Sequence, residues 1–315
     1  MLRDESTAVI AENERFKYSN IGYGLLGLVI EAAGGTPYNA YVQTAIVDKL
    51  GLSGLGPELD PARLTEYAAG YSALTYADTR VPIEHVDTRA LASATGFFGT
   101  ARDLVTYFSA HLPGDDRLLT DKSKREMQHP LWTTGSDEKA RYGLGLSVTK
   151  LGERDLFGHG GGYPGHITRT LVDPKARVVV SVLTNAIDGP AGQLAEGFFR
   201  LLDLAGSKDR RDNTDLKRFT GRFANLWGVV DFALLGGRLY ATDPSGANPA
   251  EEPQTLEVDG DTLRVTAGNG YGAYGEAYRF TFDANGAVEA VQGSSGLTLH
   301  PFHTFDLGNR VTVTR

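Results

Sequence analysis

Two short stretches carry residue types that could perform acyl chemistry. The first is Tyr18-Ser19-Asn20 within "FKYSNIGYGLLG", which starts at Phe16. A phenol ordinarily ionises near pH ~10. With neighbouring cations lowering that value it can serve as a general base, which requires a lysine beside it and a serine hydroxyl to deprotonate. The plainer reading is that Tyr18 packs on the following helix and Asn20 caps it. The second stretch is "GHGGGYPGH" at 158–166. A histidine at a strand end, followed by Gly160, Gly161 and Gly162, can bring backbone N–H donors close to a developing oxyanion because no Cβ intervenes. A glycine turn with an exposed histidine is the alternative. His159 and His166 stand in no H-E-x-x-H pattern and have no carboxylate at ligand spacing, so no metal is expected.

Composition narrows the classes. A formal charge of −8 over 315 residues leaves no cationic excess for a phosphate backbone, so nucleic acid is set aside. The absence of cysteine removes disulfides and thiolate nucleophiles but does not fix a compartment. No 18-residue apolar run is present, and the first residues lack the apolar core of a secretory signal, so a soluble chain is expected with its localisation open.

Positioning these residues requires helices first and strands later. Apolar spacing over 23–33 closing on Gly34 and Gly35 predicts a buried helix, and Pro37 opens a second that stops at Gly51. The loop-rich segment 53–95 should wrap around something. Thr100 with Asp103 has capping-box spacing ahead of a third helix. After Tyr142 the period shortens into successive antiparallel strands, and 191–206 returns to helical spacing. The polar run at 207–216 reads as a linker between a first domain, 1–206, and an antiparallel β-barrel, 217–315. Within that barrel, "GYGAYG" at 270–275 matches a dinucleotide glycine pattern but opens no helix, and reads as a hairpin loop.

Taken in order, "FKYSNIGYGLLGLVIEAAGGTPYNAYV", "ATGFFGTARDLVTYF" and "FGHGGGYPGHITRTLVDPKARVVVSVLTN" resemble the serine β-lactamase-like, penicillin-recognising proteins. The likeness is to the branch with class C β-lactamases, D-alanyl-D-alanine carboxypeptidases, D-aminopeptidases and esterases, over residues 16–204. It implies an α+β fold, an antiparallel sheet with helices. The C-terminal barrel resembles the lipocalin-like domain some members append. It further implies that Tyr18 takes the serine proton and that Asn20 bonds the substrate and the motif lysine. His159 would contact substrate and Tyr18, Gly160 and Gly161 would complete its motif, and the Gly162 N–H would supply half of an oxyanion hole.

One departure bears on activity. Members carry Ser-x-x-Lys several tens of residues before Tyr-x-Asn, the serine attacking and the lysine activating it. Here Ser6 is followed by Val9 at the lysine position. Ser147 to Lys150 falls in an alternating strand, where i and i+3 face oppositely, and Ser136 to Lys139 sits in a polar loop. The expectation is an incomplete fold: the C-terminal part of a serine acyl hydrolase lacking its nucleophile, inactive or nearly so alone, with an exposed sheet edge through which it self-associates. Substrates would be small esters, β-lactams or D-amino-acid peptides, with no cofactor. The alternatives are a non-catalytic binding or regulatory remnant, and a chain whose ligand-binding part is the barrel.

Overall fold

A computed structural model describes residues 14–135, 140–206, 214–268, 274–294 and 296–308. Contacts divide the chain into two compact units, 1–195 and 196–315.

The first unit begins with α1 (Asn20–Gly34). Ser19 sits in extended backbone and its Oγ accepts from the Gly22 N–H at 3.0 Å, so the cap is Ser19 and not Asn20, and the helix starts earlier than its apolar spacing indicates. Gly35, at φ 64°, closes it with its N–H on the Glu31 carbonyl. Although α1 is apolar nearly all round, Leu25, Leu26, Leu28 and Val29 are exposed and only Gly27 is buried. α2 (Tyr38–Val42) runs into a π-helical turn, Gln43–Asp48, and ends at Gly51 in the left-handed region.

A two-stranded hairpin, β1 (Gly70–Tyr71) and β2 (Pro82–Ile83), lies within the loop-rich segment, ahead of the single turn α3 (Ala92–Thr95). α4 (Ala101–Ser109) is capped as expected by the Thr100 hydroxyl, which accepts from the Asp103 N–H at 3.1 Å. The Asp103 carboxylate accepts from that hydroxyl and from the Gly54 N–H at 2.9 Å, tying the helix start to the preceding loop. α5 (Asp121–Gln128), which the spacing does not reveal, buries Lys124 with its ammonium on the Leu112 carbonyl at 2.8 Å.

The six-stranded sheet follows as an antiparallel meander. Its strands are β3 (Trp132–Thr133), β4 (Ala140–Tyr142), β5 (Ser147–Leu151), β6 (Arg154–Tyr163), β7 (His166–Asp173) and β8 (Val178–Thr184). Val148, Phe157 and Val172 of one face form a core with Phe108 and Leu112 of the α4 region, with Val179 packed against it. Burying each such large side chain contributes about 1.5–3 kcal/mol. β6 continues through the glycine run, which is therefore strand and not the turn after one.

The polar composition at 207–216 predicts a linker there, whereas contacts divide the chain inside α6 (Ala191–Ala205). The second half of that helix approaches Asn248, whose Oδ1 lies 2.8 Å from where a Cβ on Gly197 would be. Residues 207–213, 136–139 and 270–273 lie outside the described residues, so the first part of the linker, the Ser136 pattern and most of the glycine pattern do too.

The second unit contains a closed eight-stranded antiparallel barrel in meander order. It comprises β9 (Gly221–Asn225), β10 (Gly228–Leu235), β11 (Arg238–Thr242), β12 (Gln254–Asp259), β13 (Thr262–Ala267), β14 (Ala277–Phe282), β15 (Val288–Gln292) and β16 (Thr298–Pro301), with β16 pairing back to β9. An eight-stranded barrel can hold a small ligand or fill itself with side chains. Here Phe219, Phe223, Phe232 and Phe280 are all buried together with rings edge-on at 5.0–6.0 Å, so aromatic rings occupy the interior.

Candidate active site

The alternation of β6 explains where His159 points. Phe157 faces α4, and His159, two residues on, lies on the same face. The strand is fixed there by Gly158, whose φ of 156° disfavours any side chain and where a Cβ would sit 2.0 Å from the Thr170 carbonyl oxygen. Ser147, the first residue of β5, pairs with Gly158. From His159 onward β6 pairs only with β7 among the described residues, so the segment carrying Gly160, Gly161 and Gly162 presents an open backbone edge. Gly161 and Gly162 are exposed on it. That is the geometry in which strand N–H groups can meet a ligand.

His159 is half-buried with both ring nitrogens engaged. Nδ1 faces the Gly160 carbonyl, which can only accept, so Nδ1 carries the proton. Nε2 is then an acceptor, and the Tyr142 O–H donates to it at 2.8 Å. Burial pushes His159 below the ordinary imidazole range, helped by Arg169, while the Gly160 hydrogen bond acts in the opposite direction. Burial, with the phenols of Tyr23 and Tyr18 close by, pushes Tyr142 well above the usual phenol range and keeps it a donor.

Tyr18 joins this pair. Its ring centroid lies 6.1 Å from that of His159 and 6.3 Å from Tyr142, edge-on to the latter, and the residue is 51% exposed. A cleft of about 240 Å³ opens beside it, walled by Phe16, Tyr18, Gly22, Tyr23, Leu26 and Tyr142. Asn20 is half-buried in the first turn of α1, two residues beyond Tyr18. Of the sequence-derived residues, then, Tyr18, His159 and the glycines are brought together. Tyr142 was missed; its only signal is a tyrosine heading the turn "YGLGL", which says nothing of what its hydroxyl meets.

A larger cleft of about 840 Å³ lies between α2 with its π turn and the 51–61 loop. It shares no residue with the His159 cluster, and its carboxylates are engaged internally: Asp48 by Gln43, Glu58 by Asn39 and Thr88, Asp60 by the Ala62 N–H. The chemistry therefore favours the smaller cleft. Ser147 and Lys150 lie on β5, a strand, with Lys150 exposed. His166 has its nitrogens on the carbonyls of Pro164 and Ala68. No described helix is long and apolar enough to cross a membrane.

The family profile described as Beta-lactamase matches residues 6–203. Penicillin-binding protein 4* of Bacillus subtilis (strain 168) is 31% identical over 197 residues, covering 59% of this chain and 43% of that protein. The chain spans less than half the length of the curated relatives it matches, 43% and 45%. A D-stereospecific amidohydrolase from Streptomyces sp. superposes with TM-score 0.50 at 25% identity, over 56% of this chain and 52% of that one. An octameric penicillin-binding protein homologue from Pyrococcus abyssi reaches 0.56 at 20% identity, over 94% and 69%, and shows likeness of fold.

Proposed function

This chain belongs to the beta-lactamase family, and on that premise we propose that its first unit forms the substrate-facing part of a serine acyl hydrolase site working through an acyl-enzyme. One observation carries the reading: Tyr18 and the Tyr142–His159 pair converge where β6 leaves an open, glycine-lined edge. In this assignment the substrate carbonyl lies along that edge, with the Gly162 N–H as one oxyanion donor. Tyr18 accepts the proton of the attacking serine, Asn20 bonds the substrate, and neutral His159 holds Tyr142, which walls the cleft.

The serine is assigned to a segment outside these 315 residues. Ser19 caps α1, and Ser147 stands three residues from Lys150 on a strand, where the two point to opposite faces. That same observation favours a second reading, a cleft that binds acyl ligands without covalent chemistry. The apolar walls of Phe16, Tyr23 and Leu26 suit an ester, amide or β-lactam with an apolar acyl group, and the names of the relatives point to D-amino-acid derivatives and penicillins.

Intact-mass spectrometry after exposure to a fluorophosphonate and to a penicillin, with p-nitrophenyl butyrate turnover in parallel, tests both. The folded 315-residue chain should take no adduct, while a longer polypeptide joining it to a Ser-x-x-Lys segment should take one and turn over. A stoichiometric adduct on the chain itself overturns the missing nucleophile. No labelling of either leaves the binding reading.

A further inference from the structure

The tip of the β6–β7 hairpin, which the acyl chemistry leaves unused, is bonded to the segment around β1 and β2. The Tyr163 O–H donates to the Val86 carbonyl at 2.7 Å, and its oxygen accepts from the Val86 N–H, so one phenol satisfies both backbone groups of that residue. Burial pushes the phenol up, which keeps it a donor. His166 Nε2 lies 3.1 Å from the Ala68 carbonyl. The Tyr71 N–H reaches the Gly165 carbonyl at 3.3 Å. His85 stacks over His166 at 5.9 Å and lies 6.4 Å from Tyr163.

The backbones meet without space for side chains. A Cβ on Gly165, at φ 81°, would lie 2.6 Å from the Gly70 Cα, and one on Gly70 would strike the His166 ring. On its other side the segment is fastened beyond β8: the Ile187 N–H donates to the Tyr71 carbonyl at 3.0 Å and Asn185 Nδ2 to the Ala69 carbonyl at 2.9 Å. Residues 67–87 thus form a strap held at both ends. Its hairpin-side attachment starts at Tyr163, directly after the glycine run and about 13 Å along the strand from His159 at ~3.3 Å per residue.

We propose that Tyr163 and His166 are positioning residues that clamp the 67–87 strap against the end of β6, making it the far wall of the glycine-lined edge and so a determinant of which acyl groups fit there. The clamp stands on its own geometry; its effect on substrate choice rests on the hydrolase reading above.

Amide hydrogen exchange on Tyr163→Phe, His166→Ala and His166→Gln tests it, with binding of D-phenylalanine amide followed by NMR on the same samples. In the first two variants exchange at Tyr71 and Val86 should rise about tenfold or more, with β7, β8 and the barrel unchanged. Glutamine, whose amide can again donate to the Ala68 carbonyl, should restore protection at Tyr71. Unchanged exchange in the strap, or a rise spread equally over the sheet, overturns the clamp. Absence of ligand binding by the wild-type chain counts against the hydrolase reading alone, since the exchange data still decide the clamp.

Discussion

The Tyr142 hydroxyl donates to His159 Nε2 at 2.8 Å, while the other ring nitrogen is committed to the Gly160 carbonyl. Burial holds the imidazole below its ordinary range and the phenol above its own, so both groups are neutral at pH 7 and the histidine takes the Nδ1–H tautomer. Long-range nitrogen–proton NMR at pH 7 should show a protonated Nδ1 and a bare Nε2. Tyr142→Phe removes a donor that favours the neutral ring, so His159 should protonate at a higher pH in the variant than in the wild type. An Nε2–H tautomer, or a shift the other way, would contradict the arrangement.

Gly158 and Gly161 sit three residues apart on β6 but should differ in tolerance. Alanine at Gly158 meets the Thr170 backbone oxygen at 2.0 Å in a backbone conformation unfavourable to side chains, whereas alanine at Gly161 meets only the Thr168 hydroxyl at 2.7 Å, which can rotate away. We expect Gly158→Ala to cost about 1–3 kcal/mol or more and Gly161→Ala about 1 kcal/mol or less. Urea midpoints for the two variants are the check. Equal costs would mean that the strand relaxes around Gly158.

His111 is 3% exposed, with both ring nitrogens buried and no hydrogen-bond partner for either among the described residues, packed against Tyr107 and Phe108. Burial holds its folded pKa below the ordinary value, Lys124 adding to the effect and Asp115 opposing it. The sign follows directly. As pH falls through about 6.5 the unfolded chain binds a proton that the folded chain refuses, so stability is full above that pH and declines below it. His159 is lowered too and adds to the decline. His111→Phe should flatten part of the stability loss between pH 7 and 5 in thermal melts; an unaltered slope would remove His111 from the account.

β8 is mostly apolar, with Ser181 and Thr184 its polar positions, and among the described residues nothing pairs with its outer edge apart from the Tyr71 bridge just beyond it at Ala186. Such an edge templates pairing with another chain. Sedimentation velocity should show concentration-dependent association that Val178→Lys, placing a charge opposite Asp173, reduces. A wild-type chain that stays monomeric throughout would dismiss the idea.

The order of elements was open to reading from residue type alone, because periodicity, caps and glycine stops are local. Gly35 closes α1, Thr100 opens α4, and the strands after Tyr142 follow short alternating segments. The same locality exposed Tyr18, His159 and the glycine run as candidates, since their meaning lies in neighbours within a few positions. Helix starts were less secure: Ser19 and Asn20 both suit a cap, and the choice turned on which oxygen faced the Gly22 N–H.

What only the tertiary structure decided depends on approaches between distant residues. Tyr142 and His159 are 17 positions apart, and Tyr163 and Val86 are 77 apart. No spacing rule links such pairs; the sheet register and the path of the 67–87 strap bring them within hydrogen-bond reach. The filling of the barrel by phenylalanine rings is of the same kind, because alternation says which residues point inward but not whether together they leave room for a ligand. Local sequence sets which groups are available, and long-range packing sets which of them meet.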